Sequence, residues 1–278
     1  MIWLKPVFWI LIVNAAGWGV FPLTYRFFPG LSDRGYTVSR ALGLLLWGYT
    51  FWMLSSLGVL MNTTGGILLA LLLILGASYL FWRKIDKHEF KAWLAEKLST
   101  LIVIEVVFLV SFFFLMIFRG MEPDVLGTEK PMELAFINAI LRSPQMPPLD
   151  PWLADYSISY YYFGYIMVAM LAKISGTSGG VAFNLGLTLV FSLGATGAYG
   201  LVYNLLAALP EEKRPNLISM PVLGPVFMLL LGNVEGFMEF IHGRGIFWQQ
   251  AADGSWTSKF WAWVNLDNLK LPPPDNTA

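Results

Sequence analysis

Cysteine is absent from the sequence, which excludes disulfide frameworks, thiolate zinc sites, iron–sulfur clusters and cysteine nucleophiles. Two histidines in 278 residues leave no material for a His-rich metal site. Charge is scarce too, at 13% of residues, and 18 Lys and Arg balance 18 Asp and Glu. No basic field exists to hold a nucleic-acid backbone, and no acidic tail to mimic one. What fills the sequence instead is apolar, at 56%, with 16% aromatic residues. That mixture cannot cover a water-facing surface, so a soluble globular protein is excluded and the lipid bilayer becomes the expected partner.

A helix needs about 20 apolar residues to cross a ~30 Å hydrocarbon core. Seven runs approach this length: Trp3 to Phe21, Ala41 to Met61, Gly65 to Trp82, Thr100 to Phe118, Tyr160 to Ile174, Val181 to Leu209 and Pro221 to Ile241. The expected fold is therefore all-α, a polytopic transmembrane bundle of about seven spans. Lys5 alone makes a poor signal-peptide start, so the first run is expected to stay as a span. Four regions follow: helices 1–4 in residues 1–118, an external loop at 119–159, helices 5–7 in 160–241, and a Trp-rich tail at 242–278. The tail ends in LKLPPPDNTA, with Pro272 to Pro274 in it, and suggests that the chain is the front part of something longer.

Lys and Arg in short loops tend to stay in the cytoplasm. Arg83, Lys84, Lys87, Lys91 and Lys97 lie between spans three and four, and Arg26, Arg34 and Arg40 between spans one and two, whereas the turn Asn62, Thr63, Thr64 is uncharged. This puts the N-terminus and the 119–159 loop outside, where acids outnumber bases, in a multi-pass protein of the plasma membrane. The stretch Ile85 to Glu96 places Phe90, Trp93 and Leu94 near one helical face and reads as a short interfacial helix.

Polar residues concentrate in the external loop, and loops on rigid scaffolds carry sites. Glu122 and Asp124 follow span four closely, so two carboxylates are expected at the outer boundary, fit to act as a general base or to hold a divalent cation such as Mg or Mn. They are equally what a solvated loop contains. Thr128, Glu129, Lys130 and Pro131 read as a helix start, and the helix 131–142 should lie flat on the membrane with Phe136, Ile137, Ile140 and Leu141 inward. Asn138 and Arg142 then face the loop, where the Arg142 guanidinium either holds a phosphate or snorkels to head groups. Pro147 to Trp152 forces an extended path that presents Asp150 on stiff backbone. Tyr160, Tyr161, Tyr162, Phe163 and Tyr165 read first as an aromatic belt and second as a sugar-stacking platform.

Within the spans, Glu105 and Glu235 are carboxylates that lipid penalises unless they are paired or wet, which makes each a functional candidate. Asn14, Asn184, Asn204 and Asn233 read as interhelical hydrogen-bonding groups. The sequence LGNVEG at 231–236 hints at irregular backbone.

Five segments in order, GTEKPMELAFINAILRS, PPLDPW, YYYFGY, AFNLGL and LGNVEG, resemble the "YYY" family of multispanning membrane proteins from archaea and Chloroflexi, itself similar at a distance to GT-C membrane glycosyltransferases. The resemblance covers roughly Arg119 to Glu235. It implies transfer of a sugar from a polyprenyl-phosphate donor at the outer face, with inversion, in which Asp124, with Glu122 beside it, is the base. Glu129, Lys130, Asn138, Arg142, Asp150 and Tyr161 would bind substrate, with Arg142 or Lys130 on the departing phosphate. The alternatives are a transporter or flippase of lipid-linked material, for which Glu105 and Glu235 would be the working charges, and a non-catalytic membrane scaffold.

Overall fold

The computed structural model describes residues 4–264 apart from Thr128 and Asn233. The expected cap at Thr128, the hydrogen-bonding role of Asn233 and the Pro272 to Pro274 run lie outside the described residues. The chain forms two units, 1–225 and 226–278.

In the first unit, α1 (Lys5–Phe27), α2 (Tyr36–Ser56), α3 (Thr64–Trp82), α4 (Lys87–Met121) and α7 (Gly179–Ala207) form a bundle, with the shorter α5 (Lys130–Arg142) and α6 (Phe163–Ser175) packed on it. Leu223–Pro225 forms the one-turn α8. α1 and α2 approach closely because Gly17 and Gly43 face each other's helices: a Cβ on Gly43 would lie 2.8 Å from the Ala16 carbonyl oxygen, and one on Gly17 would lie 3.0 Å from the Arg40 Cα. Small residues let backbones meet where lipid supplies no hydrophobic drive between helices. Trp9, Val13, Trp47, Phe51, Phe108 and Phe112 fill the core.

Four helices among the described residues are long and apolar enough to cross a membrane, namely α1, α3, α4 and α7, or five if Met220–Leu231 and Val234–Gly243 count as one broken span. Three of the seven expected spans differ for separate reasons, the seventh because it is broken between Leu231 and Val234. α2, 21 residues long, runs from the Asp33 face to the Asn62 face, but Arg40 and its polar neighbours make it less apolar than the other four long helices. α6 has 13 residues, about 20 Å of helix, too little for the ~30 Å core.

The connections show that α6 returns to the face it started from. Lys5 Nζ, at the start of α1, donates to the carbonyls of Ser175 and Gly176 at 2.5 and 3.0 Å, and Lys173 donates to the Asn62 carbonyl in the α2–α3 turn. The Asn62 amide in turn donates to the carbonyls of Ile140 and Ser143 at the end of α5, at 2.6 and 2.7 Å. The end of α6, the start of α7 and the 119–159 loop therefore share one face. The far end of α7 reaches the opposite face, where Asn204 Nδ2 donates to Asp33 Oδ1 at 2.9 Å.

Two further expectations change. Ile85 to Glu96 is not a separate interfacial helix, because it runs without a break into α4, whose 35 residues extend about 52 Å and must project beyond the hydrocarbon. Arg40 is not a loop residue: α2 begins at Tyr36, and Arg40 is buried against α1 and α4.

The second unit contains the π-helical turn Val226–Leu231, α9 (Val234–Gly243), a two-stranded antiparallel ribbon of β1 (Gln249–Gln250) and β2 (Trp256–Thr257), and α10 (Lys259–Trp263). His242 is buried between the rings of Trp248 and Trp261, with centroids 5.1 and 5.0 Å away. Glu235 is exposed on α9.

Candidate functional site

α5 organises the loop face. Its inward residues Phe136, Ile137 and Ile140 are buried, as the 3.6-residue period requires, and Phe136 meets the rings of Trp152, Tyr160 and Tyr165 at 5.6 to 5.9 Å. Beyond α5 the chain is pinned at several points. Met146 N–H donates to Ser55 Oγ, Leu149 N–H donates to Ser143 Oγ, both at 3.1 Å, and Leu149 bridges Ser157.

On one side of α5 lies a polar hollow of about 450 Å³, lined among others by Asn138, Arg142, Ser143 and Asp150. Arg142 is exposed and makes no side-chain hydrogen bond or ion pair among the described residues, so its fork of donors is free. Asp150 Oδ1 accepts the N–H groups of Trp152 and Leu153 at 2.8 and 3.0 Å, which fixes its carboxylate in the wall. Asn138 packs on the first residue of α7, where a Cβ in place of the Gly179 hydrogen would lie 2.2 Å from its Oδ1.

On the other side runs an apolar groove of about 730 Å³ between α2, α6 and α7. Its lining passes from Glu133 and Ile137 on α5, through Leu45, Val168 and Leu189, to Phe28 just beyond α1. At its upper end the Tyr165 hydroxyl donates to Glu133 Oε1 at 3.1 Å.

Asp124 reaches this region through α7. Asn184, on the second turn of α7, donates from Nδ2 to the Pro123 carbonyl at 2.9 Å and accepts from Arg119 Nε at 2.7 Å, while Arg119 Nη2 donates to the Asp124 carbonyl at 3.2 Å. The start of α7 thus holds the Asp124 segment by Asn184 and meets Asn138 of the hollow at Gly179. The carboxylates of Asp124 and Glu122 are both exposed. Among the described residues no group of three or more His, Asp or Glu side chains comes together to hold a metal ion.

The remaining candidates stand apart from the hollow's lining. Glu129 and Lys130 are exposed at the first turn of α5, and Tyr161 is 84% exposed, its ring beside that of Tyr160. The YYYFGY run divides: Tyr160 and Tyr161 face out, while Tyr162 accepts a hydrogen bond from Trp52 Nε1 at 3.0 Å and Tyr165 turns to Glu133. Asn62, Arg119 and Glu133 were not legible as site residues, because each acts through a partner more than 30 positions away.

Glu105 is not an isolated charge. Arg40 Nη2 pairs with Glu105 Oε2, the Tyr36 hydroxyl donates to Glu105 Oε1 at 2.5 Å, and Arg40 Nε donates to Asn14 Oδ1 at 2.8 Å. The Phe108 ring covers the guanidinium at 4.5 Å. Such a cluster satisfies the condition under which a bundle tolerates charge.

Several apolar helices crossing a membrane and a structured loop face between them define a multi-pass α-helical membrane protein. The family described as "uncharacterized membrane protein (DUF2298)" matches residues 46–265, and the chain belongs to it. No curated protein and no solved structure matches the chain.

Proposed function

We propose that the protein is a glycosyltransferase acting at the loop face on a sugar carried by a polyprenyl phosphate. The observation that carries this reading is the placement of α5 between a polar hollow and a long apolar groove, with the Asp124 segment tied to the same end of α7. A lipid-linked sugar needs these two environments side by side: a groove for the isoprenoid and donors for the phosphate. Arg142, free and at the hollow's edge, suits the phosphate, since a guanidinium offers parallel N–H donors to its oxygens. Asn138 and Asp150 offer hydrogen-bonding groups to sugar hydroxyls.

In the reaction, the acceptor hydroxyl oxygen forms its bond to the anomeric carbon as its proton passes to the Asp124 carboxylate. The bond from the anomeric carbon to the phosphate oxygen breaks, and its electron pair leaves on the phosphate opposite Arg142. Attack from the face away from the phosphate inverts the anomeric centre. The acid's exposure in the absence of substrate is compatible with a base that meets its proton only in the complex. The transporter alternative gains less support, because Glu105, one of its two working charges beside Glu235, is held by Arg40 and Tyr36.

The test is native mass spectrometry of the detergent-solubilised chain with a polyprenyl phosphate, combined with transfer of a labelled hexose from the polyprenyl-phosphate sugar. Arg142→Ala should lose lipid binding, and Asp124→Asn should retain binding while transfer falls by roughly 10²-fold or more. Binding no stronger than that of bulk phospholipid would overturn the reading.

A further inference from the structure

The face opposite α5 carries a second hollow, of about 240 Å³, where the end of α1, the loop after it, the end of α3 and the start of α4 meet. Tyr25, Arg26, Arg34, Lys84, Asp86 and Glu89 line it. Its two acids are already engaged. Asp86 Oδ1 accepts the N–H groups of His88 and Glu89 at 2.7 and 2.9 Å as the cap of α4, and Glu89 pairs with Arg34 at 3.1 Å. The side chains of Arg26 and Lys84 make no hydrogen bond or ion pair among the described residues. Tyr25 is 5% exposed, and its hydroxyl is buried with no hydrogen-bond partner. A buried hydroxyl left unpaired is costly, so its presence in the wall of a hollow that Arg26 and Lys84 also line calls for an acceptor that the protein does not supply.

The backbone is bent to build this wall. Arg34 adopts φ 52°, a left-handed conformation that non-glycine residues avoid, and its guanidinium lies over the Tyr25 ring at 4.8 Å. The strain is held by Asp33, whose carboxylate oxygens accept from Gly35 N–H, Thr37 N–H and the Asn204 amide at 2.9 to 3.0 Å.

We propose that this hollow binds the phosphate of a phospholipid head group, between Arg26, Lys84 and the Tyr25 hydroxyl. A lipid rather than a free anion is favoured by what stands next to the hollow. Phe27, 63% exposed, follows Arg26, and its ring meets that of Phe81 at 5.3 Å across the ends of α1 and α3. This apolar pair lies where the acyl chains of a lipid anchored by its phosphate would run. The site is independent of the catalytic reading, since none of its residues belongs to the α5 face.

The experiment uses the full chain, delipidated in detergent, with phosphatidylglycerol compared with a diglycosyl diacylglycerol of the same acyl chains, and bound lipid read by native mass spectrometry. The protein should retain phosphatidylglycerol preferentially, and the double variant Arg26→Gln/Lys84→Gln should weaken retention on the order of tenfold, since charge-assisted hydrogen bonds to phosphate are lost. Tyr25→Phe should weaken it by a smaller factor. Arg83→Gln, an exposed cation on the same turn but outside the lining, should leave it unchanged. Both changed cations are exposed, so the fold should persist, and an unaltered melting curve checks this. Equal retention of the two lipids, or unaltered retention in the double variant, would overturn the proposal. Displacement of the lipid by inorganic phosphate alone would assign the site to a free anion and overturn the lipid.

Discussion

Replacing Glu105 by Gln removes the negative partner of a guanidinium that is 1% exposed. The structure sets the size of the effect. After the change Arg40 keeps its bond to Asn14 Oδ1 and the Phe108 face, but Nη2 loses its ionic acceptor, and Nη1 has no partner to begin with. Breaking a buried pair by removing one member costs about 3–5 kcal/mol, because a charge stays behind uncompensated. The Glu105 side chain is 27% exposed, so some solvent reaches the pair and the lower end, about 3 kcal/mol, is expected. Arg40→Leu with Glu105→Leu removes both charges at once and should lie within about 1 kcal/mol of the parent. SDS titration of the detergent-solubilised protein, followed by tryptophan fluorescence, reads both. A Glu105→Gln variant as stable as the parent, or a double variant more damaged than either single one, would refute the assignment of this pair to holding α1, α2 and α4 together. Full stability with loss of function would show instead that the carboxylate works on a substrate.

Gly43→Leu should prevent α1 and α2 from closing, since its first side-chain atom meets backbone atoms of Ala16 and Gly17 that cannot give way, and the expected loss of about 1–3 kcal/mol is measurable in the same titration. Asn184→Ala should lower transfer at least tenfold with little loss of stability, because it releases the Pro123–Asp124 segment while Arg119 still reaches the Asp124 carbonyl; unchanged transfer would count against Asp124 as the base. The two N–H groups that cap onto Asp86 hold its carboxyl below the ordinary carboxylate range. A depressed native value means stabilisation that is complete above the unfolded-state range and lost as pH falls through the native value, so the acid limb of the melting curve should flatten in Asp86→Ala.

The apolar runs fixed most of the architecture in advance, because length and greasiness are local properties. α3 and α4 contain an expected span whole, α1 and α7 cover theirs to within two residues at one end, and α5 occupies the expected 131–142 register within a residue at its start. What periodicity could not reveal was pairing. Arg40 reads as a loop charge in sequence, and the structure surrounds it with Glu105, Asn14 and Tyr36, partners that let a bundle interior tolerate a cation. The same holds for the α5 face: Asn138, Arg142 and Asp150 stand out by type and Asn184 as an interhelical hydrogen-bonding group, but the partners of Asn184 and Asn62, which fix where that face stands, lie more than 60 positions away in sequence. The failure at α6 was of another kind. An apolar run bounded by polar residues says that a segment is buried, and a segment can be buried in protein as well as in lipid.

The short α6 also has a consequence for how the protein is made. A helix of 13 residues is too short to hold itself across the membrane by its own length as the chain is threaded, unlike α7, which follows it. Its place in the bundle is set by contacts from elsewhere in the chain, with Lys5 and the Asn62 carbonyl holding its last turn. α5 lines both the hollow and the groove, and α6 lines the groove, so the groove is complete only with α6 in place. The long helices alone, without α6, do not form that groove.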